Sequence, residues 1–319
     1  MLVPFLVAAI SMGVVYLYGS IGETIIEKGG NLNLGIPGIM CLGALGGVLG
    51  VNWYIALFTV ENIVPIFLIL FSITFSFLFA ALGGLIYAVL TVTFQANQNV
   101  TGLALTTFGV GCMKFIGSNI DQSNLTLASR SISKLFSNYD KLGWFGEIFL
   151  SHGILVYIAF ALAILISIFL NKSRKGLFLR SIGESPQTAD AQGINVTLYK
   201  YLAILIGSGI AGIGGLYYVM DRSGGTTFVE AAIEAFGWMA VALVIFSMWK
   251  PTIGIFGSIL FGGLYILPSF INVSNVQIKL FDILPYVVTV IVLIVTSVLN
   301  NKNSQPPQSL GVNYFREER

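Results

Sequence analysis

Apolar stretches close to the roughly 20 residues that a helix needs to cross a membrane's hydrocarbon core recur nine times along the chain. Six are continuous, at residues 2–19, 64–91, 149–170, 198–219, 253–270 and 284–299. Three are interrupted: 34–50 is rich in glycine, 101–117 is polar at its start, and 231–248 follows two glutamates. Interrupted segments of this kind are where transporters break helices. The pattern predicts an all-α polytopic membrane bundle of about nine transmembrane or partly re-entrant helices, forming a single transmembrane domain over residues 1–300. Residues 301–319, with Pro306, Pro307 and a mixed-charge end, read as a flexible cytoplasmic tail.

Composition narrows the class. The chain is 56% hydrophobic and 9% charged, with a mean hydropathy of +0.88, whereas about a quarter of the residues of a soluble domain are charged. That excludes a soluble domain, and nothing points to nucleic acid. The stretch at 2–19 has neither the basic start nor the small-residue cleavage site of a signal peptide, so it reads as a span. Cys41 and Cys112 both fall inside apolar stretches, which argues against a disulfide framework or a metal site. His152, alone at the head of a span, reads as an interfacial residue. No catalytic nucleophile, base or metal set is clustered in the sequence. No GxxxxGK[ST] phosphate loop occurs either.

Lysine and arginine in short loops set the expected orientation. Lys172, Arg174, Lys175, Arg180 and Lys200 place the polar island 171–195 in the cytoplasm. Alternation then brings Lys28, Lys250, Lys302, Arg316 and Arg319 inside too, with the amino terminus outside and the carboxyl terminus cytoplasmic. The longest external loop, 118–147, carries Arg130, Lys134 and Lys141, so the bias is moderate. Within the island the sequence predicts a short helix over 186–192, with Ser185 as N-cap, Pro186 at the first helical position and Gly193 as the stop. A solvated connector and a feature that a partner grips are both open readings.

Other polar groups interrupt the apolar pattern. Glu23 and Glu27 sit four apart, on one face of a helix, before Gly29 and Gly30 break it; Asn31 and Asn33 follow, and a new helix starts near Pro37. A break in lipid needs compensation, either from hydrogen bonds that hold a re-entrant turn or from groups that line a solute cavity. Asn97, Gln98 and Thr101 open another span, as caps or as solute contacts. Glu230 and Glu234 precede Trp238, as a helix end at the surface or as a vestibule. Trp249, Lys250 and Pro251 form a turn in which Trp249 is expected to anchor at the interface. Glycine-rich runs at 207–215 and 254–263 predict close helix packing.

Four segments in order carry a family likeness: GETIIEKGGNLNLGIPGIMCLGA, ANQNVTGLALTTFGVG, GLFLRSIGESPQTADAQGIN, and the stretch from Phe228 through KPTIGIFGSILFGGL. Over nearly its whole length the chain resembles permease subunits of bacterial ABC importers of the ribose, simple-sugar and nucleoside group, and more loosely branched-chain amino-acid permeases. The first segment is most similar to the nucleoside branch. The resemblance implies a multi-pass plasma-membrane subunit that moves a nucleoside or simple sugar inward without hydrolysing anything. Its implied partners are ABC ATPase subunits, a second permease subunit, identical or paralogous, an extracytoplasmic substrate-binding lipoprotein and membrane lipid. No cofactor is expected on this chain, since ATP and magnesium belong to the ATPase. The helix after Ser185 matches the family's coupling helix, implying coupling roles for Gly176, Arg180, Gly183, Glu184, Ser185, Pro186, Ala189, Gly193 and Asn195. Asp190 and Gln192 depart from the small or basic residues usual there. The candidate pathway residues are Glu23, Asn31, Asn33, Asn97, Gln98, Thr101, Glu230 and Glu234. The competing expectations are an ion-gradient transporter using the four glutamates, and an importer of the same class for branched-chain amino acids.

Overall fold

The computed structural model describes residues 2–58, 64–120, 122–132, 142–271, 281, 283–299 and 305–315. The described residues form helices α1 (Leu2–Lys28), α2 (Ile36–Phe58), α3 (Pro65–Ala88), α4 (Gln98–Gly117), α5 (Gln122–Ile132), α6 (Gly143–Leu150), α7 (Ile154–Lys172), α8 (Arg174–Glu184), α9 (Pro186–Ala191), α10 (Val196–Tyr217), α11 (Glu230–Phe246), α12 (Pro251–Ile266) and α13 (Leu284–Leu299). Each of the nine apolar stretches contains a helix. Seven are long and apolar enough to cross a membrane, those built on α1, α2, α3, α4, α7, α10 and α12. At 17 and 16 residues, α11 and α13 are shorter. Two of the interrupted stretches, now α2 and α4, are full spans. Hydropathy discounts their glycines, while packing requires them.

At the centre lies α10, against α1, α2 and α3; α12 packs on α1, and α11 bridges α1 and α2. In lipid no hydrophobic effect draws helices together, so close backbone approach has to supply the attraction. Gly43 of α2 meets Gly212 of α10, and Gly22 of α1 meets Gly207 of α10, so closely that a Cβ at Gly43, Gly22 or Gly207 would collide with the facing backbone, and one at Gly212 with Ala80 of α3. Outward faces carry large apolar side chains such as Phe67, Leu78, Leu82, Phe108 and Phe256. The chain is a multi-pass membrane protein.

Two segments differ from expectation. The region expected to be an external loop, 118–147, instead holds α5 and the start of α6. Leu125 and Ala128 of α5 are buried, and the Ser129 hydroxyl donates to the Met220 carbonyl of the turn that ends α10. This segment is short and amphipathic, a pattern that a search for long apolar runs passes over. The expected loose tail also turns back onto the bundle: Ser309 N donates to the Gly183 carbonyl (3.0 Å) and Gly311 N to the Gly30 carbonyl (3.3 Å), with Pro307 buried. Polar composition hid this, because the contacts are hydrogen bonds to backbone. The charges of Lys134, Lys141, Lys302, Arg316 and Arg319 lie outside the described residues.

His152 is buried at the mouth of α7, with Nδ1 3.1 Å from the Ser11 hydroxyl and Nε2 3.0 Å from the Ile148 carbonyl. Burial lowers its pKa below the ordinary 6.5 and the Arg222 charge adds to this, against the Ile148 hydrogen bond. A histidine held neutral in the fold but protonated in the unfolded chain adds stability above that ordinary value, lost as the pH falls below it. Thermal unfolding in detergent is expected to show a drop in stability from about pH 7.5 to about 5.5 that shrinks in His152→Gln. An equal drop in both proteins removes the role.

Candidate functional site

The short helix of the polar island is built from its caps. Ser185 is extended (φ −153°, ψ 95°), ends α8 and caps α9, its hydroxyl accepting from Thr188 N at 3.3 Å, while Pro186 takes the first helical position. At the other end Gly193 N donates to the Asp190 carbonyl (2.9 Å) and Ile194 N to the Ala189 carbonyl (3.1 Å). That pair is a Schellman motif, whose left-handed residue is Gly193 at φ +81°. Asn195 then caps α10, its side chain accepting from Leu198 N at 3.0 Å. The expected helix is thus present over Pro186–Ala191.

Sequence reading missed α8, on which α9 stands. Ser173 caps it, accepting from Gly176 N at 2.9 Å. Gly176 lies on the Phe169 carbonyl of α7 and Gly183 on the Lys28 carbonyl of α1, both too closely for a side chain. So α8 is clamped across the ends of two spans. Ile182, Ala189 and Val196 form a small apolar cluster beneath α9, flanked by Ile194, Tyr199 and Tyr314. Of the residues named from sequence, Pro186, Ala189, Gly176 and Gly183 face inward, in the mount. The exposed face of α9 and its exit is Gln187, Thr188, Ala191 and Gln192. The signal for those four was present in the helical period alternating with Pro186 and Ala189. Arg180 Nη1 donates to Asn171 Oδ1 (3.2 Å), and Glu184 Oε2 accepts from Gln308 N (3.4 Å). Beside this mount, Lys28, Arg180, Glu184, Trp249, Lys250 and Gln305 line a cleft of ≈ 360 Å³.

The break after α1 lies on the same side of the fold. Here α1 continues through Glu23 and Glu27 and ends in a second Schellman motif, Gly30 N to the Glu27 carbonyl (2.8 Å) and Asn31 N to the Ile26 carbonyl (3.4 Å), with Gly30 at φ +83°. The chain then turns back into the bundle, so that Ile36, which starts α2, reaches the level of Gly19. Its backbone groups find partners one after another. Leu32 N donates to Gln98 Oε1 (2.7 Å), Asn33 N to Glu23 Oε1 (3.2 Å) and Gly35 N to Asn33 Oδ1 (2.9 Å). Tyr87 donates to the Leu32 carbonyl (2.6 Å) and Thr106 to the Leu34 carbonyl (2.9 Å). Glu23, Glu27, Asn31 and Asn33 are all buried. Glu23 Oε2, Thr24 Oγ1, Asn31 Nδ2 and Asn33 Nδ2 have no partner among the described residues.

Trp249 corrects a further expectation. It is buried, and its indole N–H donates to Glu27 Oε2, so it cannot anchor at a lipid interface. Lys28 Nζ lies 5.9 Å from the centre of its ring. A third Schellman motif ends α11, with Met248 and Trp249 both left-handed at φ +55°. That conformation is costly for bulky residues and here aims the indole inward.

Of the remaining sequence candidates, Gln98 joins the break through Leu32 N. Asn97 is exposed and caps α4, accepting from Val100 N at 3.1 Å; Gln98 and Thr101 are buried. Glu230 and Glu234 are half-buried on the first turns of α11. Phe236 of that helix packs on Tyr16, seven residues or about 10 Å of helix before Glu23. The two glutamate pairs therefore occupy different levels of the bundle. The roles of Tyr87, Thr106 and Trp249 were invisible from sequence because each partner lies far along the chain.

A family profile described as the permease component of the branched-chain amino-acid transport system matches residues 5–293. The chain belongs to this family. It is 31% identical over 311 residues to the nucleoside ABC transporter permease NupC of Lactococcus lactis, covering 95% of this chain and 93% of that protein. To the guanosine ABC transporter permease NupQ of Bacillus subtilis it is 29% identical over 317 residues, 94% of this chain and 92% of that one. It is also 32% identical over 256 residues to TsgC13 of Haloferax volcanii, provisionally assigned as a glucose ABC transporter permease, covering 80% and 74% of the two chains. No solved structure gave a significant match. The chain is a transport subunit of ABC type.

If the indole N–H holds Glu27 in place, Trp249→Phe keeps the ring's packing and leaves a buried acceptor unpaired. Thermal or denaturant unfolding in detergent is expected to show a loss of about 1–3 kcal/mol. Unchanged stability would show that this bond does not support the break.

Proposed function

We propose that this chain is one of two membrane subunits of an importer that carries nucleosides into the bacterial cytoplasm, with simple sugars as the second solute class. The observation that carries this reading is the mounted helix α9. It is six residues long, capped at both ends, seated on an apolar cluster, and presents Gln187, Thr188, Ala191 and Gln192 outward. Such a short element is too small to be stable alone, and its rigid support makes sense if a partner pushes on it. The partner is the ATPase, which binds ATP and magnesium and biases inward- against outward-facing states through contacts at α9. Gly176, Arg180, Gly183, Glu184, Ser185, Pro186, Ala189, Gly193 and Asn195 hold that helix.

Support for the orientation comes from the same end of the molecule. Lys28, Arg180 and Lys250 gather beside α9, which supports a cytoplasmic placement by the positive-inside rule, with the start of α1 outside. The outer face of α4 exposes Asn99, Thr107, Gly111 and Lys114 between apolar neighbours. Polar groups on a lipid-facing helix are costly, so this face supports a pathway shared with a second permease subunit. An extracytoplasmic binding lipoprotein delivers the solute. The nucleoside assignment draws on the relatives NupC and NupQ, each matched over more than nine tenths of this chain.

Ala191→Arg changes an exposed side chain and spares the mount. Co-purification of the ATPase with the permease is expected to fall at least about tenfold, a change of about 1.4 kcal/mol, and uptake to fall with it, while the variant folds normally. Gly183→Val should fail too, with reduced stability, because it unseats α8. Uptake that persists without any ATPase overturns the proposal.

A further inference from the structure

The segment 305–315 makes contacts that its sequence did not suggest and that the importer reading alone does not require. Tyr314 of this segment reaches α9, its hydroxyl donating to Asp190 Oδ2 at 2.7 Å, and its ring flanks the apolar cluster beneath that helix. The preceding residue, Asn313, reaches the turn between α3 and α4. Its Nδ2 donates to the Gln95 carbonyl (2.6 Å), and its Oδ1 accepts from Gln98 Nε2 (3.0 Å). Gln98 in turn accepts from Leu32 N (2.7 Å), inside the break that rests on Glu23. Gln95 has φ +56°, unusual for a residue with a side chain, and its Nε2 donates to the Tyr314 carbonyl (3.3 Å). Further back, Ser309 holds the Gly183 carbonyl through both its N–H (3.0 Å) and its hydroxyl (2.6 Å), and Gly311 N holds the Gly30 carbonyl.

An unbroken series of hydrogen bonds and one peptide unit therefore runs from α9 through Tyr314, Asn313 and Gln98 to Leu32. Chain entropy would normally keep such a polar segment loose. Here Pro306 and the buried Pro307 reduce the freedom it must give up, and it is pinned at four places by partners from α8, α9 and the two breaks. Rigid elements joined by hydrogen bonds are the physical means by which displacement at one site biases another.

We propose that residues 305–315 are a strap that transmits displacement of α9 to the helix breaks at 29–35 and 94–97, with Tyr314 and Asn313 as positioning residues of the transport cycle. The inference rests on α9 being the ATPase's point of contact. Within that reading the strap adds a second route to the one through α8: a push on α9 pulls on Asn313 and, through Gln98, on the backbone of the break. Tyr314 and Asn313 touch no solute. They act by fixing where the breaks sit when α9 moves.

The test uses the full importer in proteoliposomes with the variants Tyr314→Phe, Asn313→Ala and their combination. Each is expected to keep its ATPase bound but to lower solute uptake per ATP hydrolysed, about fivefold or more, and the double variant should be no worse than the more severe single one. A second arm needs no ATPase. In the permease alone, hydrogen exchange of the amides over 29–35 should quicken about tenfold in Tyr314→Phe and Asn313→Ala. Wild-type coupling in assembled variants, or unchanged exchange at the break, overturns the strap. If instead the wild-type permease binds no ATPase, the reading of α9 fails, and the exchange arm decides the strap by itself.

Discussion

A helix interrupted inside a membrane protein must find partners for every backbone group that it frees, and this fold is arranged around that requirement. Water is absent from the bilayer core, so an unpaired amide or carbonyl there is expensive. The break between α1 and α2 answers with side chains drawn from five places in the sequence. Glu23, Gln98, Tyr87, Thr106 and the break's own Asn33 each take one group. Glu23 could not serve if α1 stopped at the surface. Its continuation past Gly22 depends on the close crossing with α10 at Gly207.

That crossing joins packing to function. Glycines bring α1, α2 and α10 near enough for the break to sit between them, and the same economy recurs where α8 lies on the ends of α1 and α7. At Gly183 and Gly176 a missing side chain lets one backbone rest on another. A mount of this kind is stiff because backbone atoms, unlike long side chains, cannot turn aside. The exposed part of the assembly, α9, is by contrast small and polar, and its stability comes from its caps and its seat. The support is strong and the contact face is plain, which suits an element that is moved by something else.

Three Schellman motifs, ending α1, α9 and α11, lie around this region. Two use glycine at the left-handed position, and the third uses Met248. The exception has a structural reason: the unusual turn carries Trp249 inward to Glu27, where an exposed indole could not reach. Two glutamates in the bundle are then held by a backbone amide and an indole, so much of their role is to support architecture.

Much of this was legible in the chain of residues alone. Apolar run length predicts where helices lie, and Ser185, Pro186 and Gly193 predict the short helix almost residue by residue, because caps and stops are local chemistry. The family likeness was legible for a related reason, since the residues that carry it are the glycines and caps that local geometry demands. What escaped were relations between distant positions. Trp249 on Glu27, Tyr87 on Leu32 and Tyr314 on Asp190 join residues separated by 222, 55 and 124 positions, and no periodicity encodes such pairs. The segment 305–315 shows the same limit most clearly. By composition it is a loose extension, and only the carbonyls that the folded bundle leaves open on one face, at Gly30, Gly183 and Gln95, give it somewhere to bind. Local sequence determined the helices and their ends; tertiary packing decided which polar groups meet, because those partners exist only after the spans have come together.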